Sequence, residues 1–127
     1  MNGPIFISGL AAVFCTLGHF TVGSKHYLKP MLAASFDDVA KKVCHCVFHY
    51  ISVFLVLSSV YLVLAGSGFA FTTDSDLIVK FIAIHYAAFA AIQIIIAATS
   101  GIQKAVFKMF QWTIFMFIAV FAWTGAA

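Results

Sequence analysis

Four long apolar stretches, nearly free of charged residues, constrain this chain more than any other feature. They lie at about residues 4–23, 43–65, 77–99 and 105–124. Each is as long as the ~20 residues that a helix needs to cross the hydrocarbon core of a bilayer. A chain of 127 residues that is 64% hydrophobic and 9% charged cannot hide this much apolar surface in a water-soluble domain. The sequence therefore predicts an integral membrane protein with a single domain, residues 1–127.

Short connections between the stretches favour antiparallel neighbours, so we predict an all-α four-helix bundle with up-down topology. Gly23 and Pro30 are expected to end the first helix. The second helix is expected to begin at residue 35 or 43, because Ser35 followed by Asp37 and Asp38 is typical of an N-cap with acids in the first turn.

Lysine residues predict how the bundle is oriented in the membrane. They are concentrated in the segments after the first and the third stretch, namely Lys25, Lys29, Lys41, Lys42, Lys104 and Lys108. The segment after the second stretch instead contains Asp74 and Asp76. Lysine-rich segments tend to stay in the cytoplasm, so both termini are expected on the outer side. The net charge of +3 is explained by these signals and by lipid headgroup contacts, and we expect no nucleic-acid partner.

Polar side chains within the stretches are informative, because polar groups in hydrocarbon are costly. One face of the predicted second helix comprises His45, His49, Ser52, Val56 and Ser59. One face of the first helix comprises Ser8, Ala12, Cys15 and His19. Small residues let two membrane helices approach closely. We therefore expect these faces to pack together and to bring His19 towards His45 and His49.

Histidines four residues apart on one helical face can bind one transition metal ion. We therefore predict a metal site near the cytoplasmic side, formed by His19, His45 and His49. Alternatively, His19 and one histidine of the second helix ligate a haem between the helices. Supporting roles are predicted for Cys15, Cys46, Ser52, Gln93 and Gln111. The sequence contains no HExxH motif and no paired CxxC motifs, so the identity of the ligand stays open.

A second hypothesis gives the polar side chains a structural role only. His, Ser, Thr and Gln often form hydrogen bonds between membrane helices, worth roughly 0.6 kcal/mol each. His85 lies towards the outer side, away from the other histidines, and is expected to be structural. Gln93 and Gln111 are expected to bond each other or a histidine. The chain would then be an accessory or assembly subunit of a larger membrane complex, or a homo-oligomer.

Enzymatic function is not indicated by any recognisable catalytic set. The chain has four acidic residues, and all of them lie in predicted loops or at predicted interfaces, away from the histidines. This favours a protein that is not an enzyme by itself. A proton relay through the histidines is a third hypothesis.

Two segments of the first half, GHFTVGSKHYLKPML and VCHCVFHYISV, carry a resemblance to a group of known proteins. The chain resembles small four-span bacterial membrane proteins without an assigned role. The matching residues are Gly18, His19, Gly23, Lys25, Lys29, Pro30 and His49. The resemblance implies a four-span fold and a location in the bacterial inner membrane. It implies no activity and no catalytic residue.

Overall fold

The computed structural model describes residues 1–69 and 72–127, and this part of the chain contains helices and short connections but no strand. The helices are α1 (Gly3–Ala33), α2 (Asp38–Ser67), α3 (Ser75–Thr99), α4 (Ala105–Lys108) and α5 (Gln111–Gly125). α1, α2 and α3 are long and apolar enough to cross a membrane. The 25 residues of α3 extend about 38 Å, compared with ~30 Å for a hydrocarbon core. The prediction of an all-helical protein with membrane-length helices is confirmed.

The fourth apolar stretch forms two helices instead of the continuous span expected over residues 105–124. α4 has four residues and ends where Met109 leaves the helical region, with φ −100° and ψ 61°. The 15 residues of α5 extend about 22 Å, which is less than the thickness of the core. Lys104 and Lys108 lie at the two ends of α4, and Lys108 directly precedes the break. Lysine favours the polar boundary, where a helix can be interrupted because water satisfies its backbone groups.

α1 continues well beyond Gly23, where the sequence predicted that it would end. Its segment His19–Leu28 is a π-helix, and the N–H of Lys29 bonds the carbonyl oxygen of Ser24, five residues earlier. A final α-helical segment ends before Ala34, which is extended (φ −68°, ψ 147°). Pro30 in an ordinary helix interior would crowd the carbonyl four residues before it. The wider π turns ahead of Pro30 relieve this crowding, so the proline is accommodated and does not end the helix.

α2 begins two residues later than the Ser35 cap predicts. The N-cap is Asp37, whose Oδ1 accepts a hydrogen bond from the backbone N–H of Ala40 (2.8 Å). A carboxylate at this position also interacts favourably with the positive end of the helix dipole, which a serine does not. The helix ends at Gly68, which has φ 99° and so adopts the left-handed conformation that glycine favours.

α1 and α2 are antiparallel and pack with their backbones in close contact. A Cβ atom at Gly9 would lie 2.6 Å from the backbone nitrogen of Val63, and one at Gly66 would overlap the backbone of Phe6. Glycine at these two positions lets each helix lie against the other, as small residues do in membrane proteins.

The buried face of α2 differs from the face that was predicted to contact α1. It comprises Ser52, Leu55, Ser59, Leu62 and Gly66. The predicted face shares Ser52 and Ser59 with it, but His49 and Val56 are exposed at its edge. The predicted face is turned about the axis of α2 relative to the buried face. Residues of a membrane helix are apolar whether they face lipid or protein, so hydrophobicity does not distinguish Leu55 from Val56.

The remaining helices complete a core in which neighbouring helices are joined by polar contacts. α5 packs against both α1 and α3. α2 and α3 meet through longer side chains, including the buried hydroxyl groups of Ser58 and Tyr86, which are 2.9 Å apart. Asn2 connects three helix ends, because its backbone N–H bonds Gly66 O (2.8 Å) and its Nδ2 bonds Gly125 O (2.7 Å).

Candidate functional site

His45 and His49 lie one turn apart on α2, and their side chains are in contact. Their Nε2 atoms are 3.2 Å apart and their ring centroids 5.0 Å apart. Side chains four residues apart in a helix lie one above the other on the same face, so this contact follows from the spacing in the sequence. One imidazole donates its Nε2–H and the other accepts through its lone pair. His45 is half-buried and His49 is exposed, so the pair lies at the surface of the protein.

The separation of the two Nε2 atoms is close to that of two nitrogen ligands on one metal ion. Zinc–imidazole bonds are ~2.0–2.1 Å long, and two such bonds at a tetrahedral angle place the nitrogen atoms about 3.3–3.4 Å apart. The observed separation is 3.2 Å. The separation is therefore compatible with both imidazoles binding one ion, once the donated proton has moved to Nδ1 so that each Nε2 presents a lone pair.

His19 lies against α2 but is engaged by other partners. Its ring stacks on Phe48, with centroids 4.1 Å apart and an angle of 19° between the planes. Its Nε2 atom is 2.9 Å from Ser52 Oγ, which is also 3.1 Å from Phe48 O. His19 Nε2 is therefore already engaged in a hydrogen bond between α1 and α2, and a metal ion at this atom would have to displace Ser52.

Ligand sets larger than a pair are not found in the part of the chain that the structure describes. Within residues 1–69 and 72–127, no three His, Cys, Asp or Glu side chains are grouped so that they could hold one metal ion. The structure thus brings His45 and His49 together, and places His19 beside Ser52 and not in a three-histidine cluster.

The predicted supporting cysteines lie in different surroundings. Cys15 is half-buried on α1 and packs against the apolar core, whereas Cys46 is exposed on α2 next to His45. Cys44 is also exposed, and all three cysteines are free thiols. Cys46 follows His45 directly, so it points about 100° away from it around the helix. Its thiol does not face the same point as the two imidazoles.

The two glutamines form a polar chain that is separate from the histidines. Gln93 Nε2 donates to Gln111 Oε1 (2.7 Å), and Gln111 Nε2 donates to Tyr27 Oη (2.9 Å). This chain joins α3, α5 and α1, and the pairing of the glutamines is one of the two arrangements that were expected. Gln93 Oε1 is buried without a hydrogen-bond partner among the described residues.

His85 lies on α3 among aromatic side chains. Its Nδ1 atom is 2.9 Å from Phe81 O, and its ring stacks on Phe54 with centroids 5.4 Å apart. Both contacts are of the kind that fix side-chain packing. His85 has no contact with His45 or His49 among those observed.

An open groove of about 390 Å³ lies beside the histidine pair, between α1 and α2. Its lining residues are Phe20, His49, Ser52, Val53, Val56 and Leu57. All but His49 and Ser52 are apolar, so the groove is an apolar surface with one exposed imidazole at its edge.

Two partners of the polar residues were missed by reasoning from the sequence. Phe48 supports the His19 ring, and its position four residues before Ser52 was a usable signal, since the two share one face of α2. Tyr27 accepts the hydrogen bond from Gln111. No pattern in the sequence indicated this contact, because it depends on the unexpected continuation of α1 to Ala33.

Comparison of the chain with family models, with curated proteins and with solved structures finds no match. The resemblance to four-span bacterial membrane proteins therefore stays a prediction.

Proposed function

We propose that the chain is an integral membrane protein that binds a transition metal ion through His45 and His49. The contact between the two Nε2 atoms, at 3.2 Å, is the observation that carries this proposal. Imidazole is a good ligand for zinc, copper and nickel, and copper(II) forms the most stable complexes of the divalent series. The two histidines follow Lys41 and Lys42 closely, so the site lies near the lysine-bearing, cytoplasmic end of α2.

The proposal takes a metal ion and not haem as the ligand. A haem between α1 and α2 needs an axial nitrogen from His19. The Nε2 atom of His19 is bonded to Ser52 Oγ, and one face of its ring is covered by Phe48. His45 and His49 bond each other, so a metal ion between them displaces no observed hydrogen bond to another residue.

The proposed membrane arrangement is four-span and up-down, with both termini outside, in a bacterial inner membrane. Three membrane-length helices support it. The fourth crossing would be made by α4 and α5 together. The lysines between α1 and α2 and around α4 support a cytoplasmic location for both connections. The bacterial location comes from the resemblance of the first half of the chain.

Metal binding is tested with detergent-purified protein that has been stripped of metal and titrated with Zn²⁺ or Cu²⁺. His49→Ala removes one arm of the chelate. Losing even an outer-shell partner of a metal ligand lowers affinity by about 10–100-fold, so we expect a loss of at least that size. His85→Ala removes an imidazole elsewhere and should leave the affinity unchanged. Equal affinities for His49→Ala and the unaltered protein would exclude the proposed site.

A second candidate function is that of an accessory subunit in a larger membrane complex. The observation that favours it is that several polar side chains are already bonded between helices, as in Ser58–Tyr86 and Gln93–Gln111. On this account His19→Ala lowers stability without changing metal binding, and a partner protein co-purifies in mild detergent. A partner-free protein that binds Zn²⁺ through His45 and His49 would contradict it.

A further inference from the structure

We infer that one metal ion is shared by two copies of this chain, each of which supplies His45 and His49. The inference rests on the metal-binding function proposed above, and it names the partner of the site as a second copy. Zinc sites usually have four ligands, which is more than one copy of this chain provides. Each copy offers two, and no third His, Cys, Asp or Glu joins them within residues 1–69 and 72–127.

The side of α2 that carries the pair is free to meet another helix. α1 covers the face around Leu55 and Leu62, while the neighbouring stripe continues from His49 through small, branched side chains. Their exposed fractions are 59% for Val53, 39% for Val56 and 51% for Val60. Valine projects little from a helix, so two such stripes can lie side by side while the longer imidazoles meet at one end.

The membrane itself aligns two copies in the way that the shared site needs. Copies of one chain insert with the same orientation, so their two-fold axis is parallel to the membrane normal. A two-fold contact uses the same patch on both subunits. The His45–His49 pair of one copy is then at the same depth as that of the other, and four nitrogen atoms surround the axis. Four imidazole nitrogens in a tetrahedral arrangement are a ligand set that zinc accepts.

The positive charges near the site do not prevent this approach. Lys42 lies one turn before His45 and is exposed, so two Lys42 side chains come near each other in the pair. A lysine can extend its flexible stem towards water while its α-carbon stays at the interface. The ammonium groups can therefore move apart into the headgroup region, away from the ion.

The experiment measures mass and metal content together. Protein in mild detergent is examined by size-exclusion chromatography with light scattering, with Zn²⁺ and after chelation. We expect a dimer holding one zinc per two chains, and a monomer when zinc is removed. His49→Ala should be monomeric in both conditions, and His85→Ala should behave like the unaltered protein.

A variant with a bulky side chain at the proposed contact distinguishes a metal ion shared by two copies from a metal ion bound by a single copy. Val53→Trp keeps both ligands but places a bulky ring on the exposed stripe one turn beyond His49. We expect it to stay monomeric in zinc and to bind the ion more weakly. One zinc per monomeric unaltered chain would overturn the shared site and leave the proposed function intact. A dimer that persists without zinc and in His49→Ala would also overturn it. Absence of zinc binding would remove the proposed function itself.

Discussion

At the scale of single residues, the hydrogen-bond partners of each histidine determine whether its imidazole is available to bind a metal ion. Ser52 Oγ is within hydrogen-bond distance of both His19 Nε2 (2.9 Å) and Phe48 O (3.1 Å), so the imidazole of His19 is engaged in the contact between α1 and α2. His45 and His49 bond only each other among the contacts observed. A metal ion that replaces this one bond gives each nitrogen a stronger partner, whereas a metal ion at His19 Nε2 would break its hydrogen bond with Ser52.

Tyr86 and Ser58 provide a test of a polar contact with a structural role. Both are buried, and their hydroxyl groups are 2.9 Å apart. Tyr86→Phe keeps the ring and removes the hydrogen bond, so the free energy of unfolding should fall by about 0.6 kcal/mol. A double-mutant cycle with Ser58→Ala, measured by unfolding in mixed detergent, isolates the pair. A coupling energy of zero would contradict a stabilising role for this bond.

The spacing in the sequence predicted the His45–His49 contact but not the surroundings of His19. Two residues on one helix are related by helical geometry alone, so positions four apart must meet. The environment of His19 depends on which face of α2 it meets. The sequence does not indicate which face of α2 is turned towards α1, because Leu55 and Val56 are both apolar although Leu55 is buried and Val56 is exposed.

At the scale of helices, the contact between α1 and α2 depends on glycines. Gly66 lies against the backbone of Phe6, with no room for a Cβ atom. Gly66→Ala should therefore push the helices apart and lower the free energy of unfolding by about 1–3 kcal/mol, as overpacking does.

Gly18→Ala is the matched control for Gly66→Ala. Gly18 lies in α1, and a Cβ atom there would meet nothing within 4 Å. Alanine has the higher helix propensity, so this variant should be neutral or slightly stabilising. Unfolding in mixed detergent compares the two. Equal losses of stability in both variants would contradict the close-packing account.

The ends of the helices were less predictable than their existence. Asp37 and not Ser35 caps α2, and α1 passes Gly23 and Pro30 without ending. Both results come from local backbone geometry: a carboxylate competes with a nearby serine for the cap, and a π-helical segment accommodates a proline. Long apolar runs, by contrast, predicted three membrane-length helices correctly because bilayer thickness sets their length.

At the scale of the whole molecule, the membrane topology depends on whether α4 and α5 cross together. The proposed arrangement puts Ala127 outside and Gln103 inside. With the native cysteines replaced by serine, Ala127→Cys should react with a membrane-impermeant maleimide in intact cells. Gln103→Cys should react only after permeabilisation.

Labelling of Ala127→Cys only after permeabilisation would contradict the four-span proposal. Because Asn2 Nδ2 bonds Gly125 O, the two termini lie at one end of the molecule, so labelling of Gln103→Cys in intact cells alongside this result would indicate the inverted orientation. The histidine pair would keep its place at the end of α2 in either case, because α1 and α2 are each of membrane length.

The zinc K-edge X-ray absorption spectrum of the zinc-loaded protein tests the central claim most directly. The account predicts a shell of nitrogen at ~2.0–2.1 Å with the outer-shell scattering of imidazole, and loss of that scattering in His45→Ala and His49→Ala. A shell of sulfur at ~2.3 Å, which would assign the metal to the cysteines, would contradict it. An imidazole signal that is unchanged in both variants would contradict it equally.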